Sequence, residues 1–201
     1  MANTRKKNNP NQAGLYLLFA LGTSLALALI LGPTLFSNKN TAGNLIMSSN
    51  SPMISDTIGR LSSADSSSQR ISAARWLSTQ PTTDPETVIR SLGDSLTNDP
   101  DPVVRAQAAS SLGTLARSSR EKPTSNAAQE KLIAEVLQRQ YSKEASDSVR
   151  RCIVGAAAEL DIDDANGLVE KAISDNDPSV KEEALRARVE RERRAQLKKL
   201  G

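Results

Sequence analysis

Apolar positions follow two patterns along this chain, an uninterrupted run near the start and a helical period after it. From residue 53 onwards, apolar side chains recur every three or four positions, as they do on one face of a helix. The clearest stretch contains Val104, Ala108, Leu112 and Leu115. Because such stretches alternate with short polar turns, the pattern predicts successive pairs of helices.

A recurring phrase opens the second helix of each pair. It reads Asp-Pro-Val-Val-Arg at 101–105, Asp-Ser-Val-Arg at 147–150 and Asp-Pro-Ser-Val-Lys at 177–181, with a fainter copy around Arg70. The Asp side chain can accept a hydrogen bond from a free N–H group at the helix start, and Pro in the first turn loses no helical hydrogen bond. The basic residues of the four copies lie 35, 45 and 31 residues apart. Such self-similarity predicts one helical unit stacked on copies of itself.

This pattern resembles the HEAT repeat, particularly the short HEAT-like repeats of phycobilisome lyase subunits and bacterial scaffold proteins. The resemblance covers residues 53–190 and implies an all-α fold, an α-solenoid of about four helix pairs. It also implies that the basic residues pair with acidic groups near the turns and form a structural ladder along the stack. The resemblance assigns this ladder to Asp101, Arg105, Asp147, Arg150, Asp177 and Lys181.

The uninterrupted run extends from Leu15 to Phe36 and contains no charged residue. Its 22 residues suffice to cross a bilayer as one helix, which takes about 20, and exceed the apolar core of a secretory signal. Basic residues Arg5, Lys6 and Lys7 precede it. The run therefore predicts a single-pass membrane anchor with a cytoplasmic N-terminus and a periplasmic or lumenal repeat domain. A cleaved signal is the alternative.

Five segments follow from these patterns. They are a basic tail (1–14), a transmembrane helix (15–36), a flexible linker (37–52), the solenoid (53–190) and a charged C-terminal helix end (191–201). Ser and Asn dominate the linker, which lacks the apolar period of a packed element. Whether the C-terminal helix caps the solenoid or projects from it stays open.

Charge is concentrated at the two ends of the chain. The chain has 26 basic and 23 acidic residues, but residues 1–52 contain four basic residues and no acidic one. The remainder is slightly acidic, so a nucleic-acid partner is not expected. In the last helix, Arg191 and Arg194 could contact phosphate or an anionic surface. Because glutamates are interspersed there, an ordinary solvated face is the alternative.

Catalytic groups are scarce in this sequence. It has no His, the commonest general base and metal ligand, and Cys152 is its only Cys. Cys152 is predicted to be a buried small side chain. The acidic loop 161–167 lacks the spacing of a calcium loop, and Asp99 and Asp175 are interpreted as turn or cap residues. We therefore expect no catalytic residue, metal or cofactor, and a protein that is not an enzyme.

Partner binding is the favoured function. Trp76 beside Arg75 has the composition of a binding hot spot, although a Trp that fills the joint between two repeats is an equal alternative. The candidate partner-binding residues are Arg75, Trp76, Tyr141, Arg191 and Arg194. We expect a membrane-anchored scaffold or assembly factor that binds a subunit of a membrane complex and contacts the bilayer through residues 15–36. The alternative, a bilin lyase-like or chromophore-handling subunit, rests on the family resemblance.

Overall fold

A computed structural model describes residues 52–121 and 126–200 of this chain, which fold into helices joined by short turns. In these two ranges there are eight α-helices and no β-sheet, so the predicted all-α class is confirmed. The helices are α1 (Pro52–Ser63), α2 (Ser67–Leu77), α3 (Pro85–Asn98), α4 (Pro102–Arg120), α5 (Ala127–Tyr141), α6 (Asp147–Ala158), α7 (Asp163–Ile173) and α8 (Pro178–Leu200).

The predicted membrane anchor, 15–36, lies outside the described residues, as do the basic tail and the linker up to residue 51. None of the helices from α1 to α8 is both long enough and apolar enough to cross a bilayer.

Two layers of helices make up the described part. The odd-numbered helices contact one another in chain order, and so do the even-numbered helices. Within each pair, α1 with α2 and so on to α7 with α8, the two helices also contact each other. Because each pair contacts the pair before it and the pair after it, the arrangement is that of an α-solenoid of four pairs.

Local capping explains where several helices begin. The Asp101 carboxylate accepts a hydrogen bond of 2.8 Å from the Val103 N–H, and the Asp84 carboxylate accepts one of 3.1 Å from the Thr87 N–H. A Pro occupies the first position of α3 and of α4. These residues satisfy or remove N–H groups that have no partner at a helix start, which is why an Asp-Pro pair stands at the start of α3 and of α4.

Small and branched aliphatic side chains build the core between the layers. Leu92, Leu112 and Ile153 have no exposed surface, and the chain's two Phe residues precede the described part. Small residues let the even-numbered helices approach closely. A Cβ atom placed on Gly113 of α4 would lie 2.9 Å from Cα of Ala156 in α6. Gly113 is therefore a point of backbone contact between successive pairs.

Replacing Gly113 by Ala tests this contact, with Gly167→Ala as the matched control. Both glycines lie within helices, where Ala is favoured by roughly 0.5–1 kcal/mol, but a Cβ on Gly167 would meet nothing within 4 Å. Since overpacking costs about 1–3 kcal/mol, we expect Gly113→Ala to be less stable than Gly167→Ala by at least about 1 kcal/mol. Urea denaturation followed by circular dichroism measures both. Equal stabilisation by the two substitutions would contradict the close approach.

Candidate functional site

Three arginines on the even-numbered helices each reach a carboxylate in the turn of the following pair. Each guanidinium uses two nitrogens to hold both oxygens of its carboxylate, a geometry that makes the ion pair strong and directional. We call these three contacts the arginine ladder. They join Arg70 to Asp99, Arg105 to Glu144 and Arg150 to Asp175.

In the contact between Arg105 and Glu144, both charged groups have several hydrogen-bond partners. Arg105 Nε and Nη2 lie 3.0 and 2.9 Å from the two carboxylate oxygens of Glu144, and Nη1 donates to the Asp99 carbonyl oxygen at 2.9 Å. The Glu144 carboxylate also accepts hydrogen bonds of 3.0 Å from the Ser146 N–H and from Gln140. A buried ion pair stabilises only when its remaining polar atoms have such partners.

Each ladder carboxylate also holds its own turn. Asp99 accepts a hydrogen bond of 2.9 Å from the N–H of Asp101, and Asp175 accepts one of 2.9 Å from the N–H of Asp177. The carboxylates at 99, 144 and 175 all lie six residues before a basic residue of the recurring phrase. One side chain therefore fixes the turn of its own pair and receives the arginine of the pair before it.

The acidic members of the ladder differ from the residues assigned from the sequence. Arg105 and Arg150 lie in the ladder, but Asp101 and Asp177 accept hydrogen bonds from N–H groups of their own helix starts. Asp147 is the first residue of α6 and is exposed. Lys181 is also exposed, and within residues 52–121 and 126–200 it forms no ion pair. The signal in the sequence was the acid six residues before Arg105, Arg150 and Lys181.

Burial makes the ladder electrostatically unusual. The Glu144 side chain is 2% exposed. Burial opposes its ionisation, but the hydrogen bonds from Arg105, the Ser146 N–H and Gln140 outweigh this and lower the pKa of Glu144 to about 2. In Asp175, the hydrogen bonds from Arg150 dominate and lower the carboxyl pKa well below its usual range. These carboxylates stay charged because their partners are fixed beside them.

Tyr141 belongs to this internal network and does not lie on a free surface. It is 6% exposed, and its hydroxyl donates a hydrogen bond of 2.5 Å to the Asp175 carboxylate. Burial, together with this bond to a negative group, raises the pKa of the Tyr141 hydroxyl. As a candidate for partner binding, Tyr141 is therefore corrected to an internal contact, since its polar atom is already used within the fold.

Arg191 and Arg194 are likewise engaged within the described part. The Arg191 guanidinium donates to the carbonyl oxygen of Ala157 in the last turn of α6, and to those of Leu160 and Ile162 just after it. Arg194 donates to a further carbonyl oxygen of that helix end. Cations are favoured at a helix C-terminus, where carbonyl groups have no helical partner. Both candidates for partner binding are therefore corrected to internal contacts.

The C-terminal helix is continuous across the boundary that the sequence analysis placed at residue 190. It runs from Pro178 to Leu200, and Lys198 near its end lies 2.8 Å from the Asp161 carboxylate in the turn between α6 and α7. The helix also contacts α6 and α7. It therefore closes the last pair and does not project as a separate arm.

Arg75 and Trp76 are the candidates that remain accessible. Trp76 is partly buried and packs against the core, while Arg75 is exposed and donates a hydrogen bond of 3.2 Å to the side chain of Gln107. The indole borders a groove of about 470 Å³ between α1 and α2. The other residues of this groove, which we call the Trp76 groove, are Thr57, Arg60, Ser68, Gln69, Ser72 and Ala73.

Over residues 52–121 and 126–200, no group of three His, Cys, Asp or Glu side chains could hold a metal ion. Cys152 is partly buried against the core and borders an open groove of about 450 Å³ with Thr114 and Arg151. A second groove, of about 550 Å³, lies between α1 and α3 and is lined mainly by small polar side chains such as Ser91.

The HEAT repeat family matches the chain at residues 88–119, which lie within α3, α4 and the turn between them. This stretch contains Asp99 and Arg105, so it includes one acidic and one basic member of the arginine ladder. The match supports a HEAT-repeat protein, and it does not extend to the phycobilisome lyase type. No curated protein matches the chain.

The arginine ladder predicts a specific dependence of stability on pH. A glutamate has an ordinary pKa of 4.5, and Glu144 has one of about 2 in the folded chain, so its contribution is complete above pH 4.5 and is lost as the pH falls towards 2. We expect Glu144→Gln to lower the free energy of unfolding by about 3 kcal/mol at neutral pH, because it leaves Arg105 without its charged partner.

Urea denaturation across this pH range measures the free energy of unfolding of the wild type and of Glu144→Gln. The difference between the two free energies should shrink steadily below pH 4.5. Glu86→Gln is the control, since Glu86 forms an exposed pair with Arg90 and such pairs contribute about 0.5 kcal/mol or less. A difference for Glu144→Gln that stays constant down to the lowest pH would contradict the ladder's role.

Proposed function

We propose that this chain is a membrane-anchored scaffold or assembly factor that binds a subunit of a membrane complex. HEAT repeats generally mediate contacts between proteins, and the match at residues 88–119 supports this class of function. Solenoids of this kind present extended surfaces whose exposed side chains can vary without disturbing the stack.

The accessible indole of Trp76 beside Arg75 is the observation that carries the proposal. Tyr141, Arg191 and Arg194 are used inside the fold, whereas the indole borders an open groove and the Arg75 guanidinium is exposed. Trp and Arg dominate the energetics of protein interfaces, because a large apolar side chain can be buried beside a group with several hydrogen-bond donors. The Trp76 groove is therefore the proposed partner-binding surface.

The uncharged run at 15–36 supports membrane anchoring, and the excess of basic residues before it supports a cytoplasmic N-terminus. The repeat domain would then lie in the periplasm or in a lumen. Anchoring helps a scaffold, since a tether of moderate length raises the effective concentration of the repeats beside a partner in the same membrane. A subunit of a membrane complex fits this arrangement.

The absence of His from the sequence and the lone Cys152, partly buried in α6, support a non-enzymatic role. Nothing in the described residues favours the bilin lyase-like alternative. Of the two functions, we therefore propose scaffolding.

Affinity capture from detergent-solubilised membranes tests the scaffold role. We expect the wild-type chain to remain in the membrane fraction and to recover a membrane protein, with and without crosslinking. Trp76→Ala should lower the recovery at least about tenfold, because truncating a hot-spot Trp typically costs 2 kcal/mol or more. The control is Leu197→Ala, which truncates an apolar residue of α8 that is 56% exposed. Recovery of no partner by the wild-type chain would contradict the proposal.

A further inference from the structure

One face of α2, of α4 and of α6 is covered by the next helix pair. Residues four and eight positions after the ladder arginine share its helix face. A Cβ on Gly113, eight positions after Arg105, would touch Ala156 of α6, which shows that this line of residues faces the following pair. All residues at these positions are buried, namely Ala74, Ala109, Gly113, Val154 and Ala158 within α2, α4 and α6, and Ser78 directly after α2.

In α8 the same line is exposed, and two of its three residues are apolar. Lys181 occupies the ladder position and is exposed, and Leu185 and Val189 follow at four and eight residues with exposures of 43% and 62%. A terminal helix that serves only to cap a solenoid carries polar residues on its outer face. Here two aliphatic side chains stand at the positions where the earlier helices bury small or branched ones. We call Lys181, Leu185 and Val189 the α8 end face.

Lys181 differs from the arginines around this face, which lie close to carboxylates. Arg186 pairs with Glu182 and Glu183, and Arg193 pairs with Glu190, all within α8. Arg188 lies within 4.0 Å of carboxylates of Glu170 and Glu192. Among the residues that the structure describes, Lys181 has no carboxylate within ion-pair distance, although it occupies the position from which Arg70, Arg105 and Arg150 each reach one. The end face therefore offers a cation and an apolar strip to an acidic partner.

The opposite end of the described solenoid has no carboxylate at the ladder position. The ladder carboxylates lie six residues before a basic residue, at 99, 144 and 175, but the position six residues before Arg70 is Ala64. A second copy stacked head to tail would therefore present Ala64 at the ladder position, with the exposed Asp65 next to it in the chain. Because Asp65 lies one residue away from the position that Asp99, Glu144 and Asp175 occupy in their turns, the register of the ladder disfavours self-association through the α8 end face.

We propose that the α8 end face binds a helical hairpin of a different protein, whose turn carries an Asp or Glu that pairs with Lys181. The hairpin would stack on Leu185 and Val189 as each pair of this chain stacks on the one before it. The proposal rests on the scaffold role and names the kind of partner that this end accepts. It uses the last helix of the described part, whereas the Trp76 groove lies between the first two.

Zero-length coupling tests the proposed ion pair directly. Membranes from cells that make the full chain are treated with a carbodiimide, which joins an amine to a carboxylate only when the two are in contact, and the coupled peptides are identified by mass spectrometry. We expect Lys181 to be joined to an Asp or Glu in a turn between two helices of another protein. Coupling of Lys181 solely to a second copy of this chain would overturn the proposal.

Two variants separate stacking from chance proximity. The double substitution Leu185→Gln and Val189→Gln keeps Lys181 and should lower the yield of the coupled peptide at least about tenfold, because burial of two aliphatic side chains is lost. Leu197→Gln is the matched control on the same helix and should leave the yield unchanged, since Leu197 is exposed but lies off the Lys181 line. Circular dichroism melting checks that all variants remain folded.

The outcomes distinguish this proposal from the scaffold role. If a partner is recovered but Lys181 is not coupled to it, or if the double variant gives the wild-type yield, hairpin docking on α8 is wrong and the scaffold role stands. If the wild-type chain recovers no partner at all, both proposals fail.

Discussion

Each pair of helices in this solenoid meets the next through an arginine that holds both oxygens of a carboxylate. The carboxylate cannot be removed from water without partners, and the arginine cannot be buried without an anion, so each requires the other. Because the same carboxylate accepts an N–H of its own turn, the position of the turn and the position of the neighbouring helix are fixed together. Arg105 and Glu144, at 2.9 Å, show this arrangement most completely. The small contact residues, Gly113 above all, depend on that positioning.

The internal use of charge determines which surfaces are left for a partner. Glu144 and Asp175 bind arginines, Tyr141 binds Asp175, and Arg191 binds carbonyl oxygens at the end of α6. Side chains used in this way cannot also bind another protein without breaking the stack. The two surfaces that we propose for partners, the Trp76 groove and the α8 end face, lie in the first and the last helix pair of the described part. A scaffold that binds at both ends would bring two partners together.

The helices could be predicted from local sequence signals. The arginine ladder was harder to predict, because its ion pairs join residues that are far apart in the chain. The apolar period and the Asp-Pro phrase predicted the helix starts, because a cap such as Asp101 acts on the N–H groups next to it. The same phrase did not identify Asp99 as a ladder residue. Its partner Arg70 lies 29 residues earlier, and the two side chains meet only when two helix pairs stack. For Arg191, a mixed-charge helix shows no sequence signal of which basic residue faces inward. The anchor at 15–36 stays a prediction.

A double-mutant cycle on Arg150 and Asp175 tests the central claim most directly, because it isolates the energy that one ladder contact adds between neighbouring pairs. The free energy of unfolding is measured for Arg150→Met, Asp175→Asn and the double variant at neutral pH, with Arg90 and Glu86 as an exposed comparison pair. If the ladder joins the pairs, the coupling energy at Arg150 and Asp175 should be about 2 kcal/mol or more, against about 0.5 kcal/mol or less for the exposed pair. Additive effects at Arg150 and Asp175, within about 0.5 kcal/mol, would contradict the account.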